Sequence, residues 1–143
     1  MDVGLAIFLT GGGIHPAVLA REAEARGYES LFVTEHTHIP VSAGMVDRTG
    51  GPLHDKYRRT YDPFVALAFA AAATEKLVVG TSVCLVIEHD PIVLAKEVST
   101  LDQLSGGRFV FGVGAGWNQE EMRDHGTEPR LRFQIMRERV EAM

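Results

Sequence analysis

Residues 81–121 read TSVCLVIEHDPIVLAKEVSTLDQLSGGRFVFGVGAGWNQEE, and the fold follows from them. Asp90 has the side chain of a helix N-cap, and Pro91 suits the first helical position, where its missing N–H costs nothing. Leu94, Val98 and Leu101 recur at i, i+4 and i+7, one apolar face of a helix. Ser105-Gly106-Gly107 stops that helix, because glycine accepts the left-handed backbone of a helix end. Phe109 to Val113 is then an almost uninterrupted apolar run, the pattern of a strand buried on both faces of a parallel sheet. The stretch is the end of one strand, a capped helix, a second strand and a glycine-rich exit loop.

The rest of the chain repeats that unit. Val3 to Leu9 reads as strand 1, closed by Thr10-Gly11-Gly12-Gly13, and Pro16 opens a helix that Gly27 ends. Ser30 to Val33 reads as strand 2. From Thr34 to Tyr61 no periodicity is visible; a loop that long is usually functional, commonly a lid or binding loop. Asp62-Pro63 starts the next helix with the cap chemistry of Asp90-Pro91, and that helix extends to about Glu75. Leu77 to Val83 reads as strand 3 and Arg108 to Val113 as strand 4. After a second loop, Pro129 leads a last helix with Met136, Val140 and Met143 on one face. The order βαβαβαβα with parallel strands fits a doubly wound open sheet or the first four units, a half-barrel, of a (β/α)8 TIM barrel. The last helix stops in mid-pattern at Met143, so residues 1–143 read as an N-terminal portion of a barrel domain.

Composition narrows the class. The 143 residues carry a net charge of -5, with 45% hydrophobic and 23% charged residues. Nothing in that balance recommends a nucleic-acid or membrane partner. One cysteine, Cys84, excludes an internal disulfide framework and fits a reducing cytoplasm. The N-terminus lacks the pattern of a signal peptide, and no apolar run approaches the ~20 residues of a membrane helix.

In parallel α/β folds, ligands bind at the carboxyl ends of the strands. That rule selects the loops carrying Glu35-His36-Thr37-His38, Thr81 to Asp90, and Gly114-Ala115-Gly116-Trp117-Asn118. His36 is the foremost acid–base candidate, because imidazole changes charge near neutral pH. His36 and His38 also resemble the metal pair of barrel hydrolases, but no later ligand set accompanies them, and no metal is expected. Gly112, Gly114 and Gly116 allow close approach of backbone to a flat ring or phosphate. Trp117 at a strand's ligand end can wall a pocket for an aromatic cofactor.

The segments VTEHTHIP (33–40), YDPFVALAFAAAATEKLVVGTSV (61–83), DPIVLAKEVSTLDQLSGGRFVFGVGAGWN (90–118) and RERVEAM (137–143) resemble, in order and spacing, the luciferase-like flavin and deazaflavin oxidoreductases. The resemblance is nearest to the branch that uses coenzyme F420. It implies a (β/α) barrel, an active-site histidine at His36, and a non-prolyl cis peptide at Ser82-Val83 that backs a tricyclic ring. It also implies cofactor contacts from Glu35, Gly114, Gly116, Trp117 and Asn118. Trp117 departs from the sugar-phosphate dehydrogenases of that family, which place a glutamate there, so a sugar phosphate is not expected as substrate. The implied reaction is hydride transfer between F420 and a small organic molecule. The alternatives are an FMN-dependent monooxygenase using reduced flavin and O2, and an inert half-barrel lacking the phosphate grip of strands 7 and 8. A homodimer through helices of this first half is the expected assembly.

Overall fold

The computed structural model describes residues 1–41, 46 and 49–143. Its elements are β1 (Gly4–Ile7), α1 (Pro16–Ala25), β2 (Ser30–Val33), α2 (Pro63–Ala72), β3 (Val78–Thr81), α3 (Pro91–Ser105), β4 (Phe109–Val110), α4 (Gln119–Asp124) and α5 (Arg132–Ala142). Short 3₁₀ turns lie at Asp55–Arg59, Val86–Glu88 and Pro129–Leu131.

The strands form one parallel sheet in the order β1-β2-β3-β4, with Val33 opposite both Ile7 and Thr81 and Gly80 opposite Val110. Each crossover advances one place in the same direction. A doubly wound sheet reverses direction at its switch point, so the sequential order selects the barrel-wall alternative. Local chemistry sets the helix limits. The Asp90 carboxylate accepts from the N–H groups of Ile92 and Val93, both at 3.0 Å, and Gly106 closes α3 with φ 72°. Asp62 caps α2 in the same way through Val65 N, 2.8 Å.

Strands β1 and β3 are shorter than the readings Val3–Leu9 and Leu77–Val83 by one residue at the start and two at the end, and three larger differences stand out. Helix α2 ends at Ala72 rather than near Glu75, because the N–H groups of Glu75, Lys76 and Leu77 turn to the Glu24 carboxylate instead of continuing the helical ladder. Strand β4 is only two residues long. Beyond it, Gly112 N–H donates to the Thr81 hydroxyl (3.0 Å), which donates back to Gly112 O (2.8 Å), and pairing resumes as a single bridge between Cys84 and Val113. The third difference is α4, a short helix in what the sequence presents as loop. Part of the long loop after β2, residues 42–45 and 47–48, lies outside the described residues.

The core lies between the sheet and the helix layer. Leu31, Val33 and Val79 from the strands meet Ala20 and Ala23 of α1, Leu67 and Ala70 of α2, and Leu94 and Leu101 of α3. Fully burying one such aliphatic side chain contributes about 1.5–3 kcal/mol. The alanines let α1 and α2 pack closely over the sheet. Beneath the amino ends of the strands, the Arg108 guanidinium donates to the carbonyls of Ala71 (2.9 Å), Leu77 (2.7 Å) and Ser105 (2.7 Å), tying the end of α2 to α3. Among the described residues no helix is long and apolar enough to cross a membrane.

Candidate active site

At the carboxyl ends of the strands lies a cavity of about 480 Å³. This size is in the range of small-molecule and cofactor pockets. Phe8 follows β1, Thr34 to His36 follow β2, Ser82, Val83 and Leu85 follow β3, and Gly116 and Trp117 follow β4. Tyr57, from the 3₁₀ turn in the long loop, adds a further aromatic wall. The Ser82–Val83 peptide is cis, as the resemblance implied.

His36 sits at the back of this cavity. Its Nδ1 is 2.8 Å from Glu121 Oε2, and the two side chains are 6% and 1% exposed. The rings of Tyr57 and Trp117 meet it edge-on, with centroids 5.2 and 5.7 Å away. The other Glu121 oxygen, Oε1, accepts from Thr37 N–H (2.8 Å) and His38 N–H (3.4 Å). Glu121 reaches this point because Asn118 caps α4, its Oδ1 accepting from the N–H groups of Glu120 and Glu121. A helix start is thus used to aim a carboxylate.

A second pair lies beside the first. The Glu35 carboxylate accepts from Leu85 N–H at 2.5 Å and meets His89 Nε2 at 2.7 Å. Burial acts to lower the His89 pKa, but the hydrogen bond and charge of Glu35 overcome it and hold the imidazole above its ordinary value. Burial, reinforced by the Glu35 charge, pushes the Cys84 thiol far up, so it stays protonated. Glu88 forms a third buried centre. Burial first, and the Glu121 charge second, push its carboxyl up to about 8, while a hydrogen bond from Thr37 (3.2 Å) acts the other way. His125, near Glu88, is lowered, first by burial and then by His38.

Six residues singled out in the sequence line the cavity: Glu35, His36, Ser82, Val83, Gly116 and Trp117. Gly114 and Asn118 stand behind it. A Cβ at residue 114 would lie 2.3 Å from Val83 Cγ2, so glycine lets the fourth loop lie against the cis peptide. Gly116 has φ 62°, a conformation that favours glycine. His38 diverges from His36, its Nε2 meeting Asp124 at 2.9 Å. The grouping of metal-ligand type among the described residues is instead Glu35, Cys84 and His89, with ligand atoms within 4.8 Å of one another. Sequence reasoning missed Phe8, Thr34, Thr49, Tyr57 and Leu85 in the lining and Glu121 behind it. For Glu121 a signal existed: Asn118 followed three residues later by glutamate is the spacing of a helix start.

A wall of successive parallel β/α units with an aromatic-lined cavity over the strands' carboxyl ends is the ligand-binding side of a (β/α) barrel. A sequence profile described as luciferase-like monooxygenase matches residues 14–143, and the chain belongs to that family. A protein of Mycobacterium tuberculosis described as uncharacterized is 47% identical over 146 aligned residues, covering 100% of this chain and 52% of that protein. The alkanal monooxygenase alpha chain of Photorhabdus luminescens is 40% identical over 110 residues, 77% of this chain and 26% of that one. The 4-hydroxyprotoasukamycin monooxygenase of Streptomyces nodosus subsp. asukaensis is 34% identical over 111 residues, 78% of this chain and 26% of that one. The chain thus spans about half the length of the mycobacterial relative. Among solved structures, the oxygenating constituent of 3,6-diketocamphane monooxygenase from Pseudomonas putida, in complex with FMN, shares the fold. Its TM-score is 0.78 at 20% identity, over 99% of this chain and 38% of that one.

Proposed function

We propose that the protein is a flavin-dependent monooxygenase of the luciferase-like family, taking FMN and a small organic substrate in the cavity beside His36. What carries the reading is His36 at the wall of an aromatic cavity, in a chain 40% identical to an alkanal monooxygenase over 110 residues. The lining fits a flat ring with a polar edge. Phe8, Tyr57, Trp117 and Val83 offer apolar surface, and the buried Thr34 hydroxyl has no hydrogen-bond partner among the described residues. Buried polar atoms are rarely left unpaired, and a ligand carbonyl or ring N–H would satisfy it. The sequence reading favoured coenzyme F420. The comparisons support flavin better, because the relatives at 34–40% identity are monooxygenases. The likeness to the F420-dependent tetrahydromethanopterin reductase of Methanopyrus kandleri is one of fold, at 19% identity and TM-score 0.60.

Reduced flavin, when bound, supplies the electrons with which O2 is activated. The chain's own share is orientation, water exclusion and proton handling. Thr34 would hold the polar edge of the ring, Trp117 and Tyr57 would shield it from water, and Ser82-Val83 would support one face. His36 is the imidazole of the cavity, the side-chain type suited to general acid–base work. The proposal includes a homodimer, supported by exposed apolar side chains on α2 and α3: Val65, Phe69, Ile92, Val93 and Leu104.

Titration of the chain with FMN and, separately, with F420 tests the cofactor, followed by cofactor fluorescence with sizing of the same sample. Saturable FMN binding in preference to F420 is expected. Saturation by F420 alone would overturn the flavin reading, and binding of neither by folded protein would remove the cofactor site from this chain.

A further inference from the structure

The role of His36 depends on which of its nitrogens carries the proton, and the surroundings of Glu121 decide that. We propose that Glu121 is a positioning residue that fixes the proton of neutral His36 on Nδ1, leaving Nε2 as the basic nitrogen available to the cavity. The inference rests on the reading of His36 as the acid–base group of the flavin site.

The argument runs through donors and acceptors. Two backbone N–H groups, from Thr37 and His38, both donate to Glu121 Oε1. Oε2 is left for His36 Nδ1 at 2.8 Å. An ionised carboxylate only accepts, so its partner nitrogen must donate. The neighbouring carboxyl, Glu88, meets the same cluster only through the Thr37 hydroxyl and makes no bond to His36. His36 Nε2 has no hydrogen-bond partner among the described residues, and the ring lines the cavity. A carboxylate behind an imidazole sets the tautomer of catalytic histidines by the same logic.

The backbone donors make the test sharp. In Glu121→Gln they still require an acceptor at the Oε1 position, so the amide oxygen must take that place. The amide NH2 then faces His36 Nδ1 and can only donate. Nδ1 must become the acceptor and the proton must move to Nε2. A substitution of nearly unchanged shape thus inverts the tautomer, whereas a carboxylate serving only to hold the loop would leave it unchanged.

The experiment is long-range ¹H–¹⁵N correlation on the full chain with ¹⁵N-labelled histidine, in mildly alkaline buffer where an ordinary imidazole is neutral. His36→Gln assigns the His36 signals. Wild type is expected to show a protonated Nδ1 and a bare Nε2 at His36, and Glu121→Gln the reverse. Glu88→Gln, which removes no bond to His36, should keep the wild-type pattern. A protonated Nε2 in wild type, or an unchanged tautomer in Glu121→Gln, would overturn the proposal. The readout needs no cofactor. Failure of flavin to bind in the titration would therefore count against the flavin reading while leaving the tautomer result to stand or fall by itself.

Discussion

The two ends of the sheet use charged residues in opposite ways. At the amino end, Arg108 gives its N–H groups to main-chain carbonyls, and Glu24 takes three main-chain N–H groups from Glu75 to Leu77. Peptide groups and the Arg108 guanidinium do not titrate, and the one titrating partner, Glu24, is held below its ordinary range first by the Lys76 N–H, so the bonds of that end weaken only in acid. At the carboxyl end the charged side chains face one another: His36 with Glu121, His89 with Glu35, and His125 near Glu88. Each of those pairs can gain or lose a proton. The contrast separates stability from chemistry within a few strand lengths.

The comparison can be broken most forcefully at His36. His36→Ala should lower kcat for flavin-dependent turnover by about 10²–10⁴-fold, the usual contribution of a general acid or base, with FMN affinity little changed. Equal turnover would place the acid–base function elsewhere. At the other end, Arg108→Ala should cost about 2–4 kcal/mol, since it orphans buried carbonyls that accepted from a charged donor. Urea unfolding should give nearly the same loss at acid and alkaline pH, and a strong pH dependence would erase the distinction between the two ends.

Glu88→Gln sharpens the contrast with the smallest effect. Because burial raises the Glu88 carboxyl from 4.5 to about 8, the folded state binds its proton more tightly than the unfolded chain. Stability therefore falls as pH rises through that window. The neutral amide escapes the loss, so Glu88→Gln should match wild type near the acid end. It should exceed wild type by on the order of 1 kcal/mol above the window, as read by thermal or urea unfolding. The raised His89 acts in the same direction, its pairing with Glu35 being lost as pH rises through its folded value. That contribution is common to both proteins and cancels in the comparison.

The parts of the molecule that sequence made legible are those determined locally. Asp90-Pro91 and Gly106 bound α3 where the cap chemistry places them, and β2 spans Ser30–Val33 as read. The cis peptide at Ser82-Val83 was legible only through family resemblance, since no local residue chemistry demands it. Strand 4 was read too long because a continuous apolar run does not reveal that the Thr81 hydroxyl takes over the pairing at Gly112. Glu120 and Glu121 look like one pair of surface charges in the sequence. Only the docking of α4 against the loop after β2 separates them, leaving Glu120 exposed and burying Glu121 completely. Tyr57 enters the cavity from a loop without periodicity, where sequence pattern carries no direction.

The bond between His36 and Glu121 joins positions 85 residues apart in the chain. During synthesis the histidine emerges long before its carboxylate, so the contact between them cannot form until the chain has been made through residue 121. The cavity draws its lining from loops after all four strands, and the carboxylate behind His36 comes with α4. Assembly of the fourth unit acts as the step that arms the site.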